Sequence, residues 1–410
     1  HGCPISMTYA VHPALPAEPA LLAEWSPRLT SRRYDPSFAP AAGKVGALAG
    51  MGMTEKQGGS DVRANTTRAE PAAEGWRLTG HKWFCSAPNS DLWLMLAQAP
   101  GGLTCFLVPR FAPDGMPNAL RFQRLKDKLG NRTNASAEVE LEGAWAQRVG
   151  EEGRGVATIV AMVNHTRLDC VIGAAAGMRQ AVAQAVHHAT YRQAFGRALV
   201  DQPLMRAVLA DLAVESEAAT ATMLRLAGAY DREEGDFSRL ATAVAKYWVC
   251  KRHTVLVAEA LECLGGNGYV EESILPRLFR ESPLNGIWEG SGNVICLDVL
   301  RAMARSPQTV EAVVAELDAA VGADRRYDAA VAAVRAELGA SEVAEARARR
   351  VVERLALALQ GSLLVRFGHP AVADAFCASR LGGDGGLAFG TLPAGIDVRA
   401  IVERARPKLG

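Results

Sequence analysis

From Val156 to about Gln193 the chain runs without a proline and carries apolar residues at helical spacing, with Gly173 and Gly177 tolerated inside the run. One helix of that length is about 55 Å long and needs partners of similar length to cover it. Two more long helical stretches follow, roughly 203–230 and 237–263, and a shorter one begins after Gly290-Ser291-Gly292. Long helices joined by short connections describe an antiparallel bundle over residues 151–305.

The sequence before that helix has a different grain. Between residues 51 and 150, short runs such as Trp76-Arg77-Leu78-Thr79, Leu92-Trp93-Leu94-Met95-Leu96, Cys105-Phe106-Leu107-Val108 and Ala137-Glu138-Val139-Glu140-Leu141 are separated by glycine, proline and asparagine turns. That is the composition and spacing of a central antiparallel β-barrel or sandwich, so the fold class is α+β. Residues 1–50 read as a short helical piece followed by a connector rich in proline, glycine and arginine. The chain opens at His1, without methionine, inside apolar helical sequence (Cys3 to Val11), and the remnant of a larger N-terminal helical domain is expected there. Residues 306–410 form an additional helical region, rich in alanine, glutamate and arginine to about 367. It ends in a loosely ordered loop around Gly382-Gly383-Asp384-Gly385-Gly386.

Bulk charge narrows the function. A formal net charge of +1 over 410 residues, with 49% hydrophobic residues, excludes a broadly basic nucleic-acid binder and an acidic disordered chain. The eight cysteines form no C-x-x-C pair and no Cys/His cluster at zinc spacing, so reduced structural thiols are expected and no metal site. No run of apolar residues is long enough to span a bilayer, and a cytoplasmic setting without membrane partners is expected.

Three stretches carry candidate chemistry. Met51-Gly52-Met53-Thr54-Glu55-Lys56-Gln57-Gly58-Gly59-Ser60-Asp61-Val62 combines glycines, which allow close backbone approach, with the hydroxyls of Thr54 and Ser60. An ordinary polar turn has the same composition. Gly80-His81-Lys82-Trp83-Phe84-Cys85-Ser86 places Phe84 and Ser86 on one strand face, where a planar ring could pack; core burial of Trp83 and Phe84 is the other reading. In Asn285-Gly286-Ile287-Trp288-Glu289-Gly290-Ser291-Gly292-Asn293, a single carboxylate sits between apolar residues and glycines. An apolar surround raises a carboxyl pKa and suits a base near neutral pH, while Ser291 or Asn293 could cap the following helix. A capping loop with a solvated glutamate fits the same residues.

Together these stretches resemble the acyl-CoA dehydrogenase family, in order and spacing, across about residues 50–305. The resemblance implies that family's fold and an FAD cofactor. It makes Met51, Met53, Thr54, Gly59 and Ser60 a flavin loop and aligns Phe84-Cys85-Ser86 with the family's Trp-Ile-Thr, Ser86 being the flavin hydrogen-bonding residue. Arg192-Gln193-Ala194-Phe195-Gly196 with Gln202 is similar to the R-x-x-F-G…Q signature, whose arginine and glutamine reach the cofactor across a subunit interface. A homo-oligomer, dimer or tetramer, is thereby implied. Glu289, flanked by Ile287, Trp288, Gly290, Ser291 and Asn293, matches the base that removes the α-proton of an acyl-CoA thioester while the β-hydride passes to the flavin. Members that keep the base on the long helix place it just before the arginine matched by Arg167, and that position is Thr166.

Gly52 to Val62, Gly80 to Phe84, Leu125-Lys126-Asp127-Lys128-Leu129-Gly130-Asn131-Arg132 and Ile287 to Asn293 are similar to the AidB-like branch, as is the helical tail after 305. That likeness implies weak dehydrogenation of a short, branched acyl-CoA and association with double-stranded DNA through the C-terminal region, in a response to DNA alkylation. The electron acceptor is specified by no motif. Residues 306–340 hold six acidic and three basic residues, and 341–410 hold seven acidic and ten basic, so any phosphate contact falls to the latter, at Arg347, Arg349, Arg350 and Arg354. The alternatives are a solvated helix face, a DNA-protective flavoprotein with little turnover, and an acyl-CoA oxidase.

Overall fold

The structure, a computed structural model, describes residues 2–339 and 345–408. The chain divides into two compact units, one ending at Thr166 and the other beginning at Arg167.

The first unit opens with α1 (Gly2–Val11) and α2 (Pro19–Leu29). The connector expected after the first helix is thus partly helical. Pro19 occupies the first turn, where its missing N–H costs nothing, and Leu21, Trp25 and Leu29 recur every fourth residue to bury one face. Seven strands follow: β1 (Ala49–Gly52), β2 (Arg68–Pro71), β3 (Trp76–Ser86), β4 (Leu92–Ala99), β5 (Gly102–Pro109), β6 (Leu120–Leu125) and β7 (Ser136–Val149). They form one sheet in the order β1-β4-β2-β3-β7-β5, closed into a barrel by a β4–β5 pairing, with β6 on β7. The barrel is not wholly antiparallel. Both β1 and β2 run parallel to β4, because the chain from Met53 to Thr67 turns back before β2 begins. Leu78, Cys85, Trp93, Met95, Phe106, Val139 and Leu141 fill its interior.

One irregularity in β3 sets what the barrel shows to its surroundings. Lys82 pairs with Val139 but Cys85 pairs with Ala137, so β3 carries one extra residue there. A bulge of this kind reverses the inward and outward alternation. Leu78 and Lys82 point inward before it, and Cys85 after it, leaving Phe84 and Ser86 on the outer face.

In the second unit, α3 (Gly155–Tyr191), which starts in the first, runs for 37 residues. It is followed by a small hairpin of β8 (Gln193–Ala194) and β9 (Arg197–Ala198), then by α4 (Pro203–Asp231) and α5 (Gly235–Glu262). These are the long helices that the apolar spacing calls for. Gly177 inside α3 has a packing reason: a Cβ there would lie 2.2 Å from Nε2 of His253 on α5. His253 is buried, which pushes its pKa down to about 4 and keeps it neutral. Short helices α6 (Gly266–Tyr269) and α7 (Leu275–Glu281) lead to α8 (Gly292–Arg305).

Five further helices complete the unit: α9 (Pro307–Asp318), α10 (Arg325–Leu338), α11 (Ala348–Phe367), α12 (Pro370–Phe376) and α13 (Val398–Ala405). A single apolar cluster runs from Leu168 to Ala405, so the change of composition near 306 marks no break in packing. Gly382 to Gly386 lie in a loop, as expected, but a helix not expected from the sequence follows it. Ile401, Val402 and Ala405 make one buried face of α13, which packs on α4, and Gly390 donates its amide to Asp211 at 2.9 Å. No helix among the described residues is long and apolar enough to cross a membrane. Ile401 is fully buried, and Ile401→Ala is expected to lower the stability of this unit by about 2–5 kcal/mol, read from urea unfolding.

Candidate functional site

In the first unit the glycine-rich loop after β1 is built around one carboxylate. Oε2 of Glu55 accepts from Gln57 Nε2 (2.9 Å), the Thr66 amide (2.6 Å) and the Thr66 hydroxyl (3.0 Å), while Oε1 accepts from the Thr67 amide (3.2 Å) and Lys82 Nζ (2.8 Å). Both side chains are fully buried, and Lys82 also donates to the Leu96 carbonyl at 2.7 Å. Burial works against the Glu55 charge, but the ammonium of Lys82 and the surrounding donors outweigh it and hold the carboxyl below the usual carboxylate range.

With its two ends fixed in this way, the loop exposes Gly59, Ser60 and Asp61 and leaves Met51, Met53 and Thr54 half-buried. A Cβ on Gly59 would lie 2.4 Å from the Thr54 hydroxyl oxygen, so only glycine can lie this close to that hydroxyl. The Thr54 carbonyl accepts from the Trp83 amide at 2.8 Å, which ties the loop to the bulge of β3. Phe84 is 49% exposed and is not core. Ser86 shares its face, with its hydroxyl 3.2 Å from that of Ser136. Lys126 Nζ sits 3.2 Å from the Trp83 ring centre and 4.7 Å from that of Phe84. Cys85 departs from the expectation that it contacts a ligand: its side chain is buried in the barrel, and only its backbone borders the outer face.

In the second unit the loop after α7 carries Glu289. Its backbone is left-handed (φ 59°), which is uncommon for a residue with a side chain, and Gly290 follows at φ 107°. Two cations hold that shape. Arg167 Nε donates to the Glu289 carbonyl at 3.0 Å, and the buried Lys246 ammonium donates to the Gly290 carbonyl. Arg167 is in turn fixed by Asp298 (2.7 Å), which also accepts from Arg239 at 2.8 and 3.1 Å. Burial opposes the charge on Asp298, but Arg167 and Arg239 keep its carboxyl below the ordinary range. Burial lowers the pKa of Lys246, whereas the nearby Cys170, Cys250 and Glu289 favour its charged form.

Ile287 is 63% exposed, and Trp288 donates from Nε1 to Asn285 at 3.0 Å. Ser291 stands at the N-cap of α8 but its hydroxyl makes no capping bond, contrary to the capping expected of it. Asn293 does not cap either, as its Oδ1 accepts from Arg349 at 2.8 Å. Beyond α3, Phe195 and Gly196 both take positive φ at the tip of the β8–β9 hairpin, where Phe195 is 96% exposed. Gln202 staples that hairpin, donating to the Ala194 carbonyl (2.9 Å) and accepting from Arg197 (3.0 Å), while Arg192 is exposed beside it. Of the C-terminal arginines, Arg347, Arg350 and Arg354 gather around Oε1 of Glu337 at 2.9, 3.7 and 2.6 Å.

The supports were the hardest part to read from sequence. Lys246 does have a signal, as a lone charge inside the apolar run Ala243-Val244-Ala245-Lys246-Tyr247-Trp248-Val249. Lys82 and Glu55 have none, because nothing local says that they meet.

The chain matches three protein families: the acyl-CoA dehydrogenase middle domain over residues 50–144, the acyl-CoA dehydrogenase C-terminal domain over 153–304, and the adaptive response protein AidB N-terminal domain over 1–36. It is 48% identical to AidB of Escherichia coli over 391 residues, 94% of this chain and 72% of that protein. It is 36% identical to acyl-CoA dehydrogenase family member 11 of Caenorhabditis elegans over 74% of this chain and 52% of that protein. Among solved structures, Caenorhabditis elegans ACDH-11 in complex with C11-CoA superposes with a TM-score of 0.82 at 31% identity, covering 93% of this chain and 72% of that one. An acyl-CoA dehydrogenase complexed with FAD from Bacillus anthracis shares the fold at a TM-score of 0.68 and 17% identity, covering 88% of this chain and 73% of that one.

Whichever partner of the buried pair is removed, the other charge is left without compensation. Glu55→Gln or Lys82→Met should each cost about 3–5 kcal/mol in urea unfolding. The Glu55 carboxyl has a lower pKa folded than unfolded, so its contribution is complete above about pH 4.3 and should fade as the pH falls through the folded value.

Proposed function

The chain belongs to the acyl-CoA dehydrogenase family, in its AidB-like branch, and on that premise we propose that it is an FAD-dependent acyl-CoA dehydrogenase with Glu289 as its base. The observation that carries the assignment of the base is the left-handed backbone of Glu289, with its own carbonyl held by Arg167 and the next one by Lys246. Strain of that kind persists only where the surroundings over-determine it, and here two cations do so. A carboxylate projecting from a backbone fixed in this way is aimed for the α-proton of an acyl thioester.

Two features of the first unit support FAD as its ligand. Gly59 leaves the Thr54 hydroxyl open where a Cβ would crowd it, and Phe84 is half exposed on the same strand face as Ser86. Thr54, Ser60 and Ser86 would hydrogen-bond the cofactor, Phe84 would lie against its ring, and Met51, Met53, Gly59 and the Cys85 backbone would border it. Arg192 and Gln202 would serve its diphosphate or adenine end, and Ile287, Trp288, Gly290, Ser291 and Asn293 would flank the base. When bound, FAD supplies the acceptor for the β-hydride. A homo-oligomer, as the R-x-x-F-G…Q resemblance implies, would cover the exposed Phe195 tip.

Short branched acyl-CoA is the substrate class implied by the resemblance, while the structurally similar ACDH-11 was crystallised with C11-CoA. Anaerobic titration of the flavin-loaded chain with isovaleryl-CoA and with C11-CoA tests both. Bleaching of the flavin absorbance by at least one is expected, and Glu289→Gln should slow it roughly 10²–10⁴-fold with the oxidised spectrum unchanged. A flavin that stays oxidised with the whole panel would end the dehydrogenase reading.

A role with DNA rests on one observation. Three arginines share the single carboxylate of Glu337, leaving a local excess of positive charge on an exposed face. Duplex DNA should then bind in a salt-dependent manner, and Arg347→Ala with Arg350→Ala should weaken it and reduce the salt slope by roughly 2. Absence of binding at low salt in a mobility-shift assay would remove this role.

A further inference from the structure

We propose that the second unit carries a second ligand site, distinct from the Glu289 loop, for a small amphipathic anion: an apolar chain of medium length ending in a carboxylate. Among α3, α4, α11 and α13 lies a cavity of about 730 Å³. That is within the range of roughly 300–1,000 Å³ typical of small-molecule sites, and larger than a packing defect. None of its lining residues belongs to the stretch from Asn285 to Asn293.

The lining has two characters. Val182, Ala221, Leu224, Leu363, Leu364 and Phe367 supply apolar wall, and Leu224 and Phe367 are exposed although they lie beside a buried core. With Phe367 as the lone aromatic ring of the lining, the wall suits an aliphatic chain better than a nucleobase. The polar part is unsatisfied. Ser216 is 2% exposed and its hydroxyl oxygen has no hydrogen-bond partner. Arg225 spends Nε and Nη2 on Glu316 and Glu234, yet its Nη1 is buried without a partner. Buried polar groups in folded chains are almost always paired, so two unpaired donors, each buried in a residue that borders the cavity, point to an acceptor that enters it.

Charge decides the sign of that acceptor. The lining contains Arg179, Arg225, Arg232 and Arg404, and the carboxylates that these bind are Glu217, Glu234 and Glu316. Four lining cations against three anions, one of which (Glu316) also serves Arg366, leave at least one positive charge. Its source is Arg179, which is exposed and makes no ion pair or hydrogen bond among the described residues. A carboxylate would satisfy the Ser216 hydroxyl and Arg225 Nη1 while neutralising that excess.

Calorimetric titration of the full chain with dodecanoate, dodecanol and inorganic phosphate tests the site. Dodecanoate should bind, dodecanol at least about tenfold more weakly (about 1.4 kcal/mol), and phosphate not measurably. Arg179→Glu, a surface change, and Ala221→Trp, which fills the cavity, should each weaken dodecanoate at least about tenfold, with circular dichroism confirming the fold. Flavin bleaching by acyl-CoA should be unchanged in Arg179→Glu, separating this site from the dehydrogenase reading. Equal binding of dodecanol, phosphate binding as tight as dodecanoate, no binding of dodecanoate, or an affinity untouched by both variants would each overturn the proposal.

Discussion

The contact between Glu55 and Lys82, two fully buried charges 2.8 Å apart, is what the first unit depends on to present its loop. A buried ion pair is a poor source of net stability, since desolvation consumes most of the attraction. Its effect is geometric. One carboxylate receives donors from Gln57, Thr66, Thr67 and Lys82, so the start of the loop, its end and strand β3 all meet at a single group. An apolar pair of the same volume would fill the space and leave those amides unpaired. The bulge that follows Lys82 then turns Phe84 and Ser86 outward. Lys82 inside and Phe84 outside are two results of one register shift.

The second unit solves the same problem with main-chain acceptors. Arg167 and Lys246 reach the carbonyls of Glu289 and Gly290, so they determine the backbone from which the carboxylate projects. Arg167 is itself held by Asp298, and Asp298 by Arg239. That chain of contacts explains why a residue with a side chain can keep a positive φ, a state that would otherwise relax. It also separates two kinds of damage. Loss of the Glu289 carboxyl removes a reacting group, whereas loss of Arg167 or Lys246 releases the loop that aims it.

Much of the architecture was legible because periodicity is a local property. The proline-free run beginning at Val156 and the alternating strands carry their structure in their own spacing. The failures have equally local causes. Pro19 and Pro27 made α2 look like a connector, although a proline in the first turn is compatible with a helix. The glycines at 382–386 hid the helix that follows, whose apolar residues fall too late in the chain to join any longer pattern. What sequence could not yield were pairings between distant polar groups: Glu55 with Lys82, Arg167 with Asp298, and Asn293 with Arg349. Each residue alone reads as a solvated charge or a cap, and only the fold brings partners across such separations.

The same distinction bears on the C-terminal helices. Arg380 pairs with Asp211 and Glu215, Arg404 with Glu217, and Arg366 with Glu316, so arginines after residue 345 repeatedly reach carboxylates on α4 and α9. The partly exposed pair of Arg404 with Glu217 is worth about 0–1 kcal/mol, and in the buried pairs of Arg380 desolvation consumes most of the attraction. Buried apolar side chains such as Val352, Leu355, Leu359 and Phe376 contribute about 1.5–3 kcal/mol each, and they hold the layer in place. The ion pairs select its register on α4 and α9. A basic count taken from sequence therefore overstates the charge that this region presents outward, since many of its cations are matched internally. The cluster on Glu337 differs because three guanidinium groups share one carboxylate, and the cavity between α4 and α11 differs because Arg179 of α3, at its edge, pairs with none among the described residues. The surplus cations, and not the arginine-rich composition, are the places where this layer has charge left for a ligand.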